Sequence, residues 1–419
     1  MSYVKIKKKN NRSLYGSVSI NGSKSISNRL LILKAIYKDE IDIVNLSNCE
    51  DTEILKSSLT SYSNILDIHH AGTAMRFLTS YLSIQKEREV ILTGSKRMKE
   101  RPIFILVDAL RKLGAEINFL EKEGYPPIKI LGKEITGGEI NINAQVSSQY
   151  ISSLMLVASK FKNGLKIFMQ DNITSFPYIK MTFDLLVLSG IKVLWNNKKV
   201  IHIYPGKKKQ KKCFYIESDW SSASYYYSMS AVAKESKIVL SSYDNNSLQG
   251  DKEVSYIYEK YFGISTLFKE NKIIIFKKIN FSLPKFFELN LNKTPDIAQT
   301  ITVTSAALGI KCFLKGLETL KIKETDRLIA LKKELCKIGV KTNITNYSIE
   351  ITDFLQKKNN NCLFFNTYQD HRMAMSFAPL GLQYSICIED PNVVKKSYPN
   401  FWIDLKSIGF SIENDYFSR

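Results

Sequence analysis

The chain has 419 residues, and since a single hydrophobic core stops growing well below that length, we expect two domains. Hydrophobic residues make up 44% of the sequence and charged residues 24%, which excludes a chain that is disordered throughout, and 19 Gly and 10 Pro exclude a collagen-like chain. We expect neither a membrane helix nor a secretory signal, because no apolar run approaches about 18 residues and the basic segment 1–12 leads into no apolar core.

The net charge of +20 fits three kinds of partner, namely nucleic acid, an anionic membrane surface or an acidic small molecule. Part of the excess lies in short Lys runs at 7–9, 207–212 and 357–358, which lack interleaved aromatic residues and are typical of solvated loops. The six Cys form no C-x-x-C pair and there are only four His, which favours reduced thiols over a zinc site or a disulfide framework. Charge alone therefore leaves the partner open.

The predicted elements, taken along the chain, form a repeat. A helix-like stretch ends in a glycine that precedes an alternating strand at five places, spaced 70 to 76 residues apart: Gly114, Gly190, Gly263, Gly339 and Gly409. A glycine at a helix C-terminus has a local cause, but this regular spacing has none. It predicts one supersecondary unit used several times. With a shorter first copy from near Ser25, the six copies predict two domains of three copies each.

The fifth and sixth copies show the order of elements in a unit. In the fifth copy we predict a helix at 297–308, a strand at 311–315 and a second helix at about 325–338, whose apolar positions follow helical spacing. The sixth copy repeats this pattern at 373–382, 385–389 and 400–408. No G-x-G-x-x-G follows a predicted strand, so a dinucleotide-binding fold is not supported.

Polar residues gather where these helices begin. Lys24, Ser25 and Arg29 lie at the first such start, and Ser25 and Arg29 share one helix face. A helix N-terminus offers free N–H groups and partial positive charge, so the added cations predict an anion site. The alternative is an ordinary Ser cap beside a solvated Lys.

Three further helix starts offer other groups. Small residues at 71–74 let an anion touch backbone N–H groups, with Arg76 one turn into the helix, or let the helix pack tightly against a neighbour. Ser147, Ser148 and Gln149 suit sugar-like hydroxyls, or simply cap a helix. At 370–372 a His stands between Asp and Arg, although a lone His is more often structural than catalytic.

The segment 321–327 has the densest ionisable residues. Lys323 and Arg327 are four residues apart and can point at one ligand, and Glu324 beside Lys323 could hold a proton-transfer pair in place. An exposed, charged helix start is the alternative. Two further cations and one acid also precede helices: Arg101, Lys396 and Asp296. If these starts converge, they predict a substrate with several phosphate or carboxylate groups, without a metal cluster or an activated Cys or Ser.

Nearly the whole chain resembles the 5-enolpyruvylshikimate-3-phosphate synthase family. Segments in the family's order carry the resemblance: 21–29, 71–76, 101–102, 147–149, 175–178, 247–251, 295–296, 323–327, 370–375 and 396–399. Lys-Glu-Thr-Asp-Arg at 323–327, together with Asp-His-Arg-Met-Ala before an apolar helix, is highly specific. The resemblance implies an α/β (α+β) fold of two similar domains, 22–218 and 1–21 plus 219–419. Each domain would have three βαβαββ units around buried helices, with the active site in the interdomain cleft.

The resemblance also implies the reaction. The enolpyruvyl group of phosphoenolpyruvate would pass to the 5-hydroxyl of shikimate 3-phosphate through a tetrahedral intermediate, with release of phosphate. No cofactor or metal is implied, and the expected protein is a cytoplasmic monomer of aromatic amino-acid biosynthesis and a glyphosate target. The only expected partners are these two small molecules, with no nucleic acid and no membrane.

The site residues carry over by motif. Shikimate 3-phosphate would be bound by Lys24, Ser25, Arg29, Ser147, Ser148, Gln149, Ser175, Asp296 and Lys323. Phosphoenolpyruvate would be bound by Lys24, Gly72, Arg101, Gln149, Arg327, Arg372 and Lys396. The implied catalytic residues are Asp296, Lys323 and Glu324, supported by His371 and Tyr178. Two positions depart from the family pattern. His70 stands where many members carry Asn, and Thr319 stands where some members carry an Asn that binds shikimate.

Three alternatives are kept beside this interpretation. The related enolpyruvyl transferase that acts on UDP-N-acetylglucosamine typically has a reactive Cys or Asp in a mobile loop, and 95–101 contains no Cys. A nucleic-acid-binding protein would explain the charge of +20, yet the sequence has no recognisable RNA-binding motif. An inactive scaffold is disfavoured because the main charged motif positions are filled.

Overall fold

The structure is a computed structural model that describes residues 2–7, 12–143, 147–170, 173–197, 199–206, 211–355 and 362–416. The Lys runs predicted to be solvated loops lie largely outside these residues. The chain divides into two compact units. We call Gly22–Ile216 the inserted unit, and Met1–Asn21 together with Glu217–Arg419 the terminal unit.

Helices and strands alternate along most of the chain. The α-helices are α1 (Lys24–Tyr37), α2 (Glu50–Thr60), α3 (Gly72–Ser83), α4 (Lys96–Lys99), α5 (Phe104–Lys112), α6 (Ser148–Val157), α7 (Phe176–Leu188), α8 (Trp220–Val232), α9 (Glu253–Phe262), α10 (Ala298–Ala307), α11 (Arg327–Lys337), α12 (His371–Phe377) and α13 (Phe401–Ser407). Short 3-10 turns occur at Lys38–Glu40, Ala158–Lys160, Gly250–Lys252, Pro295–Ile297, Glu318–Ile322, Ala378–Leu382 and Pro391–Lys396.

The strands are mostly short. They are β1 (Ser2–Lys7), β2 (Ser13–Val18), β3 (Ile41–Val44), β4 (Ile65–Asp67), β5 (Glu89–Thr93), β6 (Glu116–Phe119), β7 (Ile128–Leu131), β8 (Gly138–Asn143), β9 (Leu165–Gln170), β10 (Val193–Asn196), β11 (Val200–Ile203), β12 (Lys212–Tyr215), β13 (Glu235–Ser241), β14 (Ile264–Lys269), β15 (Lys272–Lys277), β16 (Phe286–Asn290), β17 (Lys311–Lys315), β18 (Val340–Ile344), β19 (Ser348–Phe354), β20 (Leu363–Phe365), β21 (Ile386–Glu389) and β22 (Ser411–Tyr416).

The terminal unit repeats one motif three times. In its clearest copy, β16 runs parallel to β17 with α10 between them, α11 follows, and β18 and β19 complete the sheet in the order β16-β17-β19-β18. A parallel pair needs such a crossover, whereas the antiparallel pair needs only a short loop. The other two copies are completed by the start of the chain. β1 joins the sheet β20-β21-β1-β22, and β2 pairs in parallel with β13 in β2-β13-β15-β14.

The inserted unit repeats the same strand order in the sheets β4-β5-β7-β6 and β8-β9-β11-β10. Its third sheet pairs β12 with β3 in parallel, and α1 precedes β3. This copy was expected to be short. Among its described residues it keeps the parallel pair and the two helices but has no antiparallel hairpin.

The crossover helices form the centre of each unit. Nearly every residue of α3, α6, α8, α10 and α12 is buried, as expected for helices surrounded by other elements. Small side chains with hydroxyl groups let these helices approach closely, and the hydroxyl groups form hydrogen bonds with one another. Thr300 Oγ1 lies 3.2 Å from Ser224 Oγ and 3.3 Å from Ser376 Oγ, and Ser80 Oγ lies 2.6 Å from Ser153 Oγ.

The five repeat glycines have the backbone that their position requires. Each stands between a helix and a strand, and all have positive φ values between 67° and 113°. Their predicted role at helix ends is confirmed. Predicted element bounds also agree closely, since the strand at 311–315 is β17 and the helix at 297–308 is α10 with the turn before it.

One helix start differs in a way that matters for the site. α11 begins at Arg327 because the Asp326 carboxylate caps it, with Oδ1 accepting from the backbone N–H of Leu328 at 3.1 Å and of Ile329 at 3.2 Å. Lys323 and Glu324 therefore precede the helix, and a helical i, i+4 face does not explain how Lys323 and Arg327 approach the same groups.

Candidate active site

The inserted unit has a buried guanidinium among the N-terminal halves of three helices. Arg29 of α1 donates from Nε to Thr182 Oγ1 at 2.7 Å and from Nη2 to Ser152 Oγ and to the Tyr178 carbonyl, both at 3.2 Å. Its Nη1 donates to the Ser25 carbonyl at 2.8 Å. These bonds connect α1 with α6 and α7.

The charge of Arg29 has only neutral partners in the described part of the chain. Its side chain is 2% exposed, and burial lowers the pKa of Arg29 to about 10. The Phe77 ring lies below it, with the guanidinium carbon 5.5 Å from the ring centroid. A buried cation without a carboxylate partner is costly, so this position favours an anionic ligand.

The other predicted residues of the inserted unit lie at the same kind of position. Lys24 begins α1, and its Nζ lies 3.2 Å from the Asp51 carboxylate. Ser147 caps α6 by accepting from the Gln149 N–H at 3.2 Å, and Ser148 is the first residue of that helix. Ser175 precedes α7 with a left-handed backbone, φ 53°.

Contacts between α3 and α6 place Gly72 and Gln149 at neighbouring helix starts. Gln149 Nε2 donates to Thr73 Oγ1 at 3.1 Å. Gly72 packs against Arg101, since a Cβ at Gly72 would lie 2.6 Å from Arg101 Nη1. Arg76 fixes this corner, because its Nη1 donates to the Gly72 carbonyl at 3.0 Å and its Nη2 donates to the Pro102 carbonyl at 3.4 Å.

The terminal unit contains a denser ionic cluster around Arg327, which is 1% exposed. Its Nε donates to Asp370 Oδ2 at 2.7 Å, its Nη2 to Glu324 Oε2 at 3.0 Å, and its Nη1 to Asp296 Oδ1 at 3.3 Å. Burial lowers the pKa of Arg327, but the carboxylates of Asp370, Glu324 and Asp296 together raise it above its ordinary value.

Three further cations approach the same carboxylates. Arg372 Nη2 lies 3.0 Å from Asp296 Oδ2, and Lys323 Nζ lies 3.7 Å from Asp296 Oδ1. Lys396 Nζ lies 3.7 Å from Glu324 Oε1. The structure therefore brings together all the terminal-unit residues predicted to bind phosphoenolpyruvate or transfer protons. Arg327, Arg372 and Lys396 are buried and the other three are partly buried, which argues against an exposed, charged helix start.

Two buried acids of this cluster were missing from the predicted site. Asp370 caps α12 by accepting from the Arg372 N–H at 2.8 Å while it holds Arg327. Asp251 accepts a hydrogen bond from Ser221, whose Oγ also accepts from Arg372 Nη2 at 3.4 Å. Burial, and then repulsion from Asp296, raises the pKa of Asp251 to about 7. Both acids lie in segments that carry the family resemblance, 247–251 and 370–375, and this signal could have found them.

A third buried acid, Glu334 of α11, positions the segment before Asp370. Its Oε1 accepts from the Tyr368 hydroxyl at 2.6 Å, and its Oε2 accepts from the Asn366 N–H at 3.0 Å. Tyr368 and Gln369 both have left-handed backbone, with φ 54° and 58°. Such a conformation is strained for residues with a Cβ, so the contacts to Glu334 help to hold it.

Three other residues considered from the sequence lie in different surroundings. His371 is buried with Nδ1 3.7 Å from Asp370 Oδ1, next to the cluster. His70 Nδ1 is 2.8 Å from Ser95 Oγ on an exposed part of the inserted unit. Thr319 lies in the turn Glu318–Ile322, and its buried Oγ1 has no hydrogen-bond partner among the described residues.

Each cluster has a chemical capacity of its own. The inserted unit offers a cation and hydroxyls that suit a phosphate and a polyol, and the terminal unit offers cations beside carboxylates that can exchange protons. Within the described ranges, no group of three His, Cys, Asp or Glu side chains is arranged to hold a metal ion. No helix among these residues is long and apolar enough to span a bilayer.

Comparison with known proteins decides the family. A family model described as EPSP synthase (3-phosphoshikimate 1-carboxyvinyltransferase) matches residues 8–60 and 54–405. The chain belongs to the EPSP synthase family. A 3-phosphoshikimate 1-carboxyvinyltransferase of Bacteroides fragilis (strain YCH46) is 42% identical over 400 residues, covering 95% of this chain and 96% of that protein. One from Buchnera aphidicola subsp. Cinara cedri is 34% identical over 427 residues, with coverages of 94% and 95%.

A solved structure has the same fold as this EPSP synthase family member. EPSP synthase from Acinetobacter baumannii matches with a TM-score of 0.76 at 20% identity, covering 99% of this chain and 100% of that one. The predicted fold class is confirmed, and so is the family recognised from the motifs. The roles of individual site residues stay predictions.

Proposed function

We propose that this chain carries out the reaction of its family. It transfers the enolpyruvyl group of phosphoenolpyruvate to the 5-hydroxyl of shikimate 3-phosphate and releases phosphate. Apart from family membership, the observation that carries the proposal is the burial of cations at helix starts, with Arg29, Arg327 and Arg372 each at most 6% exposed. Both substrates are polyanions, and such positions stabilise anions through free N–H groups as well as charge.

The reaction divides into an addition and an elimination. The 5-hydroxyl oxygen bonds to C2 of phosphoenolpyruvate and loses its proton, while C3 gains a proton and becomes a methyl group. The C2–oxygen bond to phosphate then breaks, and C3 loses a proton to restore the double bond. Lys323 Nζ and Asp296 Oδ1 lie 3.7 Å apart, and these two residues are proposed to accept the hydroxyl proton and pass it to the leaving phosphate. Glu324 is proposed to protonate C3 in the addition and to take a proton back from C3 in the elimination.

The binding roles follow the motifs and the geometry. The residues proposed for shikimate 3-phosphate are Lys24, Ser25, Arg29, Ser147, Ser148, Gln149, Ser175, Asp296 and Lys323. Those proposed for phosphoenolpyruvate are Lys24, Gly72, Arg101, Gln149, Arg327, Arg372 and Lys396. His371 and Tyr178 support them, and the Tyr178 carbonyl does so by accepting from Arg29. Binding substrate anions would relieve the excess positive charge beside Arg29.

We also propose that the chain works as a monomer in the cytoplasm, as the resemblance implies, and that glyphosate inhibits it. Gly72 supports the last point because its missing side chain leaves room beside Arg101. Unchanged activity at a large excess of glyphosate would contradict inhibition. Light scattering of the purified chain at micromolar concentration tests the monomer.

The deciding experiment measures phosphate release with phosphoenolpyruvate and shikimate 3-phosphate together and with each alone. Release only with both, and an enolpyruvyl ether found by mass spectrometry, would support the proposal. Lys323→Ala should lose at least a thousandfold in kcat, whereas the matched control Lys321→Ala, whose exposed Nζ contacts Asn346 Oδ1 at 2.7 Å, should keep it.

Two outcomes would redirect the assignment. Phosphate release with UDP-N-acetylglucosamine as the acceptor, and none with shikimate 3-phosphate, would place the chain with the related transferase. A folded chain without either activity, but with nucleic-acid affinity that survives moderate salt, would revive the nucleic-acid interpretation.

A further inference from the structure

Two cysteines of the terminal unit lie side by side. Cys362 immediately precedes β20 and Cys387 lies in β21, the parallel neighbour of β20. The ladder pairs Leu363 with Ile386 and Phe364 with Cys387, so the two thiols approach diagonally across adjacent strands. Their sulfur atoms are 3.1 Å apart. Both are thiols in the structure, as are the other four cysteines.

The sulfurs need little movement to bond. A disulfide is about 2.05 Å long, so closing the gap takes about 1 Å of side-chain movement. β20 and β21 are already hydrogen-bonded, and β21 also pairs with β1, which fixes the backbone on both sides of Cys387. This backbone holds the thiols at high effective concentration with respect to each other.

The two thiols differ in access to solvent. Cys362 is exposed, whereas Cys387 is buried with 8% exposure. An oxidant from solvent therefore reacts first with Cys362. The buried Cys387 thiol lies close enough to react with the resulting sulfenic acid before that acid is oxidised further. This order is typical of a pair in which an exposed Cys reacts and a neighbouring Cys resolves.

We propose that Cys362 and Cys387 form a disulfide when the chain meets a hydroperoxide. The Cys362 thiolate attacks one oxygen of hydrogen peroxide, so that an S–O bond forms and the O–O bond breaks. This gives a sulfenic acid and hydroxide, and the hydroxide takes up the proton that the thiol released and becomes water. The Cys387 thiol then attacks the Cys362 sulfur, the S–S bond forms and the sulfenic oxygen leaves as a second water. Two thiols and one peroxide thus become one disulfide and two waters.

The two linked strands lead into the connections that carry residues of the ionic cluster. β20 leads into the segment that carries Asp370 and Arg372, and β21 leads into the turn Pro391–Lys396 that ends at Lys396. The disulfide would fasten the beginnings of both connections together. The proposal concerns the modification itself and does not depend on the proposed reaction.

The test uses the full chain, folded and reduced, with hydrogen peroxide at up to a few equivalents. Remaining thiols are alkylated, the chain is digested, and peptides are mapped by mass spectrometry without and with dithiothreitol. We expect one linked peptide pair that joins Cys362 to Cys387, has lost two hydrogens, and separates on reduction. The number of titratable thiols should fall from six to four.

Variants give the controls. Cys362→Ser should abolish the linked pair, and Cys336→Ser, which removes another exposed thiol of the same unit, should leave it intact. Circular dichroism of both variants checks folding, and the wild-type map stands even if a variant unfolds. Sulfenic or sulfinic acid on Cys362 without the linked pair would overturn the proposal, as would a linked pair that joins Cys362 to any other cysteine.

Discussion

Asp370→Asn should destabilise the terminal unit by about 3 kcal/mol, because Asp370 is the main counter-charge of a buried guanidinium. The Asp370 side chain has no exposed surface, and its two oxygens accept from Arg327 at 2.7 and 3.4 Å. Removing one partner of a buried ion pair costs about 3–5 kcal/mol, since the remaining charge is left uncompensated. Arg327 keeps Glu324 and Asp296, so we expect the lower end of that range.

The Ala variant separates charge from capping. Asp370 Oδ1 also accepts from the Arg372 N–H at 2.8 Å, a helix cap that Asn can keep and Ala cannot. A lost cap costs about 1 kcal/mol, so Asp370→Ala should destabilise by about 4 kcal/mol in total. Asp353→Asn is the matched control, because Asp353 is half exposed and pairs with Lys341 at 3.6 Å. Such a surface change is expected to stay within about 0.5 kcal/mol.

The assay is urea unfolding followed by circular dichroism and by tryptophan fluorescence. The free energy of unfolding of each variant is compared with that of the unchanged chain at the same pH. A loss below about 1 kcal/mol for Asp370→Asn would refute the argument that Asp370 neutralises Arg327, because that figure is typical of a surface pair. Equal losses for the Asn and Ala variants would refute the capping contribution.

Three other predictions concern binding and pH. Arg29→Ala should weaken shikimate 3-phosphate binding at least a hundredfold by calorimetry while phosphoenolpyruvate binding changes less, and an unchanged isotherm would reject this role. Gly72→Ala should raise the KM for phosphoenolpyruvate about tenfold, because the new Cβ would lie 2.6 Å from Arg101 Nη1 and displace that guanidinium; an unchanged KM would contradict the contact. Since the pKa of Asp251 is raised to about 7 in the folded chain, its contribution to stability is fully present below about pH 4 and is lost progressively as the pH rises to 7. Asp251→Asn should remove this loss of unfolding free energy, which is on the order of 1 kcal/mol per pH unit. Parallel curves of unfolding free energy against pH for the two chains would show that Asp251 does not titrate this way.

Much of the fold could be predicted because its signals are local and repeated. A glycine at each helix end marks the period, and the strand at 311–315 follows from a short apolar run bounded by turns. The pairing of β1 with β21 and β22, and of β2 with β13, is different in kind. These contacts join residues hundreds of positions apart, and periodicity in one sequence contains no information about them.

The site shows the same division. Lys323, Glu324 and Arg327 were predicted as one ionisable group, and the structure brings all three to Asp296 or to one another. Glu334 could not be predicted, because a Glu beside Lys on a helix is typical of a solvated face. Only packing against Tyr368 and the 366–368 backbone shows that its carboxylate is fully buried.

The cluster around Arg29 and the cluster around Arg327 differ in charge balance, and this difference matches their separate roles in the proposed reaction, which are substrate binding and proton transfer. Arg327 and Arg372 face carboxylates that neutralise them, so the charges of this cluster are balanced before a ligand binds. Its carboxylates and cations can then serve as proton acceptors and donors. Arg29 has neutral partners among the described residues, so its surroundings become electrically balanced only when an anion is supplied. A phosphate monoester provides that charge. Removing Arg29 should therefore weaken ground-state binding and mainly raise KM, whereas removing Lys323 should slow the chemical step and mainly lower kcat. Measuring KM and kcat for both variants distinguishes the two effects.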